Sequence, residues 1–368
     1  MGLALAYHLT RHGVRDVVVL EGQHLAWGAS GRNGGGVRAQ WSNPMNIALM
    51  HESLELCRGF ASELGTNIWM RQGGYLFLAR DPAIARRLER NVAVQNQHGV
   101  ATRLLTADEA RDVVPELDVA GVTAACYNPN DAVVFPWPFL WGYARAAARG
   151  GARIHTFTPV QHIERAGAGF TLVTSRGRVT ADRVVNAAGA WSPRVAAMVG
   201  CALPTWPARH EILSTEPLRP FLQPMVSELD SGFYASQSLR GEIVGGITRH
   251  EPRTSEIHLG STLGFLHAMS AALVRLLPRL GAVKVVRQWA GPYDMSPDGD
   301  PIVGEAPGVP GFFLCCGFVG HGFMMAPVVS RYYASRLTGG PTHELFEAWS
   351  PSRASLTDIV SKEDWNIG

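Results

Sequence analysis

The sequence predicts a mixed α/β protein in which a dinucleotide-type βαβ domain interleaves with a sheet-rich second domain. Three observations predict it. A helical segment is followed by a short turn and an apolar strand that ends in an acid at Glu21. A loop with five glycines in nine positions, residues 28–36, comes directly after. A second apolar strand, in residues 182–192, runs into a turn of small residues far along the chain. Scattering nucleotide-type elements over distant segments implies two intertwined domains, expected at 1–45, 137–205 and 286–345 for one, and 46–136 and 206–285 for the other. Residues 346–368 are expected to form a C-terminal tail.

At 368 residues the chain is long enough for a sizeable core. Hydrophobic residues at 46% and charged residues at 17% exclude wholesale disorder. A net charge of +2 leaves no electrostatic footprint for nucleic acid or an anionic membrane. The five cysteines form no Cys-x-x-Cys pair, and adjacent Cys315 and Cys316 would bridge only under strain, so a reduced, cytoplasmic location is expected. No run of about 18 apolar residues is present, which excludes a spanning helix. No His, Cys or carboxylate cluster has metal spacing, so no metal is expected.

In residues 2–12, Leu5, Ala6 and Leu9 share one helical face, and Gly13 is suited to end the helix. Residues 16–21 (Asp-Val-Val-Val-Leu-Glu) read as a buried strand. In a dinucleotide-binding unit the last glycine of Gly-x-Gly-x-x-Gly packs helix against sheet, and an acid about 20 residues later accepts ribose hydroxyls. Glu21 follows Gly2 by 19 residues, so Gly2 fits that last glycine. The first strand and first two glycines of the motif are then expected to be missing from this sequence. An ordinary amphipathic helix before an ordinary strand explains the segment equally well.

The loop at 28–36 (Gly-Ala-Ser-Gly-Arg-Asn-Gly-Gly-Gly) allows backbone N–H groups to approach an anion closely. Helices are expected over 46–64, 81–98, 137–149 and 262–277. Thr106 and Glu109 form a capping box for a short helix between. Strands are expected at 74–79, 152–157, 161–165, 211–214, 232–236, 242–246 and 282–289, with a hairpin at 170–180.

Five segments in order carry a resemblance: residues 2–9, 28–36, 185–192, 295–304 (Met-Ser-Pro-Asp-Gly-Asp-Pro-Ile-Val-Gly) and 316–327 (Cys-Gly-Phe-Val-Gly-His-Gly-Phe-Met-Met-Ala-Pro). Together they resemble the FAD-dependent amine oxidoreductases of the D-amino-acid oxidase superfamily, most nearly the group of sarcosine oxidase β-subunits, glycine oxidase and dimethylglycine dehydrogenase. The resemblance implies an FAD-binding Rossmann-type domain beside a substrate domain. It also implies hydride transfer from an amine α-carbon to flavin N5, giving an imine that hydrolyses. Sarcosine or another N-methyl amino acid is the expected substrate, with a D-amino acid, glycine or proline as alternatives, and oxygen or an electron carrier as acceptor. Partner subunits or a homo-oligomer are also implied. A degenerate, non-catalytic subunit is the reading that the missing glycines would favour.

By the same resemblance, Gly2 and Glu21 serve the pyrophosphate helix and the adenosine ribose. Ser30, Arg32, Asn33, Gly34 and Gly35 lie along the flavin's diphosphate and ring. Val160 holds the adenine edge, and Ala188, Gly189 and Trp191 close over the adenosine. Gly320, His321, Gly322, Phe323 and Met324 meet the flavin pyrimidine. Arg38, Tyr234 and His321 are the expected substrate-side residues, Arg38 because its planar fork suits a carboxylate. Surface pairing for Arg38, core packing for Tyr234 and a plain turn histidine at 321 are their ordinary alternatives. Trp289 and Tyr293 are candidates for the pocket wall. Gly291 stands where some relatives carry a tethering cysteine, so non-covalent FAD is expected.

Overall fold

The computed structural model describes residues 1–249 and 252–357. The first helix, Gly2–Arg11, buries Ala4, Leu5, Ala6 and Tyr7 as its periodicity requires. It packs between two further helices, Pro136–Arg149 and Gly322–Leu337. The strand Val18–Leu20 follows, paired in parallel with Arg153–His155. The strand Val184–Asn186 pairs in parallel with Phe312–Cys316, which pairs antiparallel with Ile302–Glu305. Among the described residues these two small sheets stay separate, and the inner flanks of Val18–Leu20 and Val184–Asn186 have no strand between them. A deep cleft runs through that gap, with the first helix on its floor.

The second body is an eight-stranded sheet. Its chain order across the sheet begins with Val285–Met295, Trp206–Pro217, Glu242–Ile247, Phe233–Gln237 and Met225–Glu228, then continues with Tyr75–Ala79, Ala124–Asn128 and Arg103–Leu105. All its neighbours are antiparallel except Met225–Glu228 against Tyr75–Ala79. The helix Leu263–Leu276 packs on one face through Phe265, Met269, Leu273 and Leu276, covering Leu76, Leu213, Val226 and Phe233. Helix Pro82–Gln97 contributes Ala85, Leu88 and Val92 to a second cluster with Tyr75 and Phe77.

Two segments lie elsewhere than expected. Helix Pro44–Leu64, expected in the substrate domain, buries Ile47, Leu49, Leu54 and Phe60 in the same core as Leu5 and Val329. Strand Val285–Met295, whose residues from 286 on were expected in the cofactor domain, is paired along its length with Trp206–Pro217 in the large sheet. In both cases the partner that completes the apolar face decides the placement, and sequence distance does not reveal it. The expected 170–180 hairpin is present as Gly169–Thr174 and Gly177–Ala181, and the strand expected at 161–165, Val160–Ala166, joins it in a three-stranded meander. The expected tail at 346–368 begins within the short helix Leu345–Ala348; its last eleven residues lie outside the described ones.

Candidate cofactor cleft and active site

The cleft encloses about 1610 Å³ and is lined by the first helix from Met1 to Ala6, by residues 16–23, by Gly28, Ala29 and Ser30, and by residues 181–191. Gly2 and Glu21 lie on it, as do Val160, Ala188, Gly189 and Trp191. Glu21 sits where its strand ends, its carboxylate accepting the Gln23 N–H at 2.8 Å. Gly189 adopts φ +55°, so the turn after Asn186 requires a residue at ease in the left-handed region. Asn186 holds that turn by donating to the Ser192 carbonyl at 2.9 Å. The helices Gly2–Arg11 and Gly322–Leu337 both begin at the cleft wall, and neither has a side-chain cap on its first N–H groups. Two uncapped helix starts aimed at one cavity favour an anionic occupant.

A second, smaller cavity of about 70 Å³ adjoins it. Asn33, Tyr293, Gly320 and Phe323 line both, so the two spaces meet there. Gly34, Gly35, Arg38, Tyr234, His321 and Met324 line the small one alone among the expected site residues. Gly35 is required by geometry: its φ is +76°, and a Cβ would stand 1.9 Å from the Val134 carbonyl oxygen. Asn33 accepts the Gly35 N–H at 2.7 Å and donates to the Ser30 carbonyl, which fixes the loop's curvature.

Arg38 is buried at 2% exposure. Its Nη1 donates to the Gln40 carbonyl, its Nη2 lies 3.4 Å from His321 Nε2, and its guanidinium stands 4.3 Å over the Trp41 ring. Behind it, buried Asp131 accepts from Ala39 N–H at 2.7 Å and from Gln40 and Asn128 at 2.9 Å. Burial raises the Asp131 carboxyl to about 7 against these bonds and the Arg38 charge. Tyr234 Oη is 2.9 Å from His210 Nε2.

Arg32 lines neither cavity; it donates instead to the Trp27 and Ala290 carbonyls, bracing the glycine loop against the large sheet. Trp289 likewise leaves the wall to Tyr293, its indole N–H bonding the Arg32 carbonyl at 2.9 Å. Gly291 lies beneath that loop, its missing Cβ 3.2 Å from the Arg32 Cβ. Sequence reasoning missed Tyr75, Phe77, Met225 and Ser227 on the small cavity, and His210 behind it. They sit on ordinary alternating strands, where an inward-facing site residue looks like an inward-facing core residue. Gly322 and Phe323 belong to the first turn of a helix that the glycine-rich spacing disguised as a loop.

A long cleft with uncapped helix starts, meeting a small cavity with a buried arginine, fits an enzyme that places a nucleotide-type cofactor beside a small anionic substrate. The chain belongs to the FAD-dependent oxidoreductase family, whose model matches residues 1–336. Sarcosine oxidase subunit beta from Rhodobacter capsulatus is 29% identical over 352 residues, covering 90% of this chain and 83% of that one. Mouse dimethylglycine dehydrogenase is 27% identical, with 94% of this chain covering 42% of that longer protein. The crystal structure of L-proline dehydrogenase from P. horikoshii matches with a TM-score of 0.91 at 31% identity, over 97% of this chain and 96% of that one. Glycine oxidase from Geobacillus kaustophilus matches with a TM-score of 0.88 at 26% identity, over 95% of each chain. The protein is an FAD-dependent oxidoreductase. Among the described residues, no three His, Cys, Asp or Glu side chains group so as to hold a metal, and no helix is long and apolar enough to cross a membrane.

Proposed function

We propose that the protein oxidises the C–N bond of a small amine acid, with sarcosine or another N-methyl amino acid as the substrate. The observation that carries this reading is the small cavity joined to the cofactor cleft at Asn33, Tyr293, Gly320 and Phe323, with Arg38 in its wall. A volume of about 70 Å³ suits a substrate of a few heavy atoms. FAD, when bound, would accept a hydride from a carbon attached to the substrate's amine nitrogen, leaving an imine that water hydrolyses.

The chain's own residues supply placement and charge. Glu21, Val160, Ala188, Gly189 and Trp191 hold the adenosine end, and the start of helix Gly2–Arg11 faces the diphosphate. Ser30, Asn33, Gly34 and Gly35 run along the cofactor toward the small cavity, while Gly320, His321, Gly322, Phe323 and Met324 close its far end with backbone N–H groups. Arg32 enters the proposal as the brace that keeps this loop in place. Arg38 receives the substrate carboxylate, its buried charge undimmed by water. Tyr234 and His321 flank the same cavity, Tyr234 orienting the amine and His321 holding Arg38 in place. Cofactor binding is proposed to be non-covalent.

The likeness to L-proline dehydrogenase supports a second reading, a cyclic secondary amine such as proline in the same cavity. The likeness to a protein named as a subunit supports assembly with partner chains. The deciding experiment is an anaerobic visible spectrum of the FAD-loaded protein before and after sarcosine, then proline. Bleaching by sarcosine establishes the first reading and bleaching by proline alone the second. A flavin that neither bleaches would sink both. The rate of reoxidation in air then separates oxygen from another acceptor.

A further inference from the structure

His210 lies on strand Trp206–Pro217, opposite Gly291 of the neighbouring strand, and is 8% exposed. It lines neither cavity, yet it touches two tyrosines that line the small one. Its ring stacks on Tyr293 at 4.6 Å and 8°, and lies nearly parallel to Tyr234 at 5.6 Å and 13°. Its Nε2 is 2.9 Å from Tyr234 Oη.

Three glycines from three different segments make room for these rings. A Cβ at Gly246 would stand 2.9 Å from both His210 Nε2 and Tyr234 Oη. One at Gly34 would stand 3.3 Å from Tyr234 Cε2, and one at Gly320 would stand 2.7 Å from Tyr293 Cε2. Backbone therefore presses on the aromatic group from several sides, and its geometry is fixed by the fold. Burial pushes the His210 imidazole down to about 4, so the ring is neutral near pH 7, with one nitrogen donating and the other accepting.

An amine entering the small cavity brings N–H groups that need an acceptor. Among the described residues lining it there is no carboxylate. Asn33 Oδ1 is engaged by the Gly35 N–H and His321 Nε2 faces Arg38 Nη2, which leaves the hydroxyl lone pairs of Tyr75, Ser227 and Tyr234; of these, Tyr234 has a neutral imidazole beside it to take its proton.

We propose that His210 is a positioning residue whose Nε2 accepts the Tyr234 hydroxyl proton, so that the phenol oxygen turns a lone pair to the cavity and accepts the substrate's amine N–H. The proposal rests on the small cavity being the amine-acid site.

Two measurements test it. In histidine-15N-labelled holoprotein, a long-range 1H–15N spectrum, assigned with His210→Gln, should show the His210 proton on Nδ1 and a bare Nε2. A protonated Nε2 overturns the proposal. The second compares two probes of one shape, pyrrole-2-carboxylate, which offers an N–H, and furan-2-carboxylate, which has oxygen there. Binding is read from the flavin spectrum. His210→Leu should weaken the pyrrole acid about three- to tenfold, the span of a net hydrogen bond, and leave the furan acid unchanged. His210→Gln, whose amide oxygen can accept the same hydroxyl, should restore most of the loss. Equal weakening of both acids, or of neither, assigns His210 to packing alone and overturns the proposal. If the unmodified holoprotein binds neither acid, the cavity reading fails and takes the amine-acceptor role with it, while the spectrum still judges the Tyr234–His210 bond separately.

Discussion

Arg38 and His321, separated by 283 positions, meet with 3.4 Å between Nη2 and Nε2. The contact ties the early glycine loop to the start of helix Gly322–Leu337, and Trp41 packs against both, edge-on to His321 at 4.7 Å and beneath the Arg38 guanidinium. An arginine beside Nε2 requires that nitrogen to accept, which keeps the imidazole neutral and its proton on Nδ1. The small cavity thus carries a single fixed charge from this pair, and that charge is positive.

Arg38→Gln should therefore raise the dissociation constant of small carboxylates about a hundredfold, the loss of a charge-assisted pair of hydrogen bonds. Arg38→Lys should recover little of it, because an ammonium cannot reproduce the fork. Titrating the holoprotein with an unreactive carboxylate, followed by flavin absorbance, checks both. Unchanged affinity in Arg38→Gln would place the carboxylate elsewhere.

Glu21→Ala should loosen the cofactor without disturbing the fold. Its carboxylate closes the turn after the strand through the Gln23 N–H and faces the cleft. Loss of a charged acceptor for the ribose costs about 1.5–3 kcal/mol, a ten- to hundredfold rise in FAD dissociation. Equilibrium dialysis against FAD, with thermal melting of the apoprotein as control, measures it.

How much of this was legible beforehand follows from what each signal depends on. Glu21, the glycines of residues 28–36 and the small-residue turn at 187–189 were readable because they need particular residue types at particular backbone conformations. Arg38 was readable through its planar fork, which suits a carboxylate, and it lies buried on the small cavity. Tyr75, Met225, Ser227 and His210 were not, because a pleated strand turns alternate side chains inward whether they line a cavity or a core. Arg32 looked like a cofactor ligand by its position in the loop, and only tertiary contact with Ala290 shows where its guanidinium goes.

The stability that Asp131 and Asp294 contribute should fall as pH rises from about 4 to 7, while His8 and His210, both held down to about 4, contribute in the opposite sense up to about 6.5. Burial raises both Asp131 and Asp294 to about 7 from the ordinary 3.8. Between those limits the unfolded chain releases the protons that the folded chain keeps, so the contribution of each group is greatest below its unfolded value and declines up to about 7. Asp294 Oδ2 accepts the Gly317 N–H, and the Thr205 side chain also bonds the carboxyl, but burial outweighs both. Asp294→Asn should remove its share, so that the variant's melting temperature relative to the unmodified protein rises from pH 4 to pH 7. A difference that does not change with pH would show that Asp294 does not titrate there.

Glu228 opposes this at the acid end. It is 1% exposed, accepts from Arg80 Nε at 2.7 Å and from Arg275 Nη1 at 2.8 Å, and is held down to about 2. Burial acts upward on it, and the two arginines with Ser231 outweigh burial. Its stabilisation is complete above the unfolded value of 4.5 and is lost as pH falls toward 2. Glu228→Gln leaves two partly exposed arginines without their carboxylate and should cost about 1.5–3 kcal/mol, the loss of charge-assisted hydrogen bonds, read by urea denaturation at pH 7. A loss under 1 kcal/mol would mean that the arginines find other partners.

The pairing of Val184–Asn186 with Phe312–Cys316 has a consequence for synthesis on the ribosome. The strand at 184 emerges long before its partner, and so does the first helix, whose companion Gly322–Leu337 comes later still. The nascent chain must therefore carry Val184 and Val185 without their strand partner until residues 312–316 leave the exit tunnel. A product stopped before residue 312 keeps most of the large sheet's sequence and none of the cofactor domain's closure, which makes it a substrate for holding chaperones and quality-control proteases.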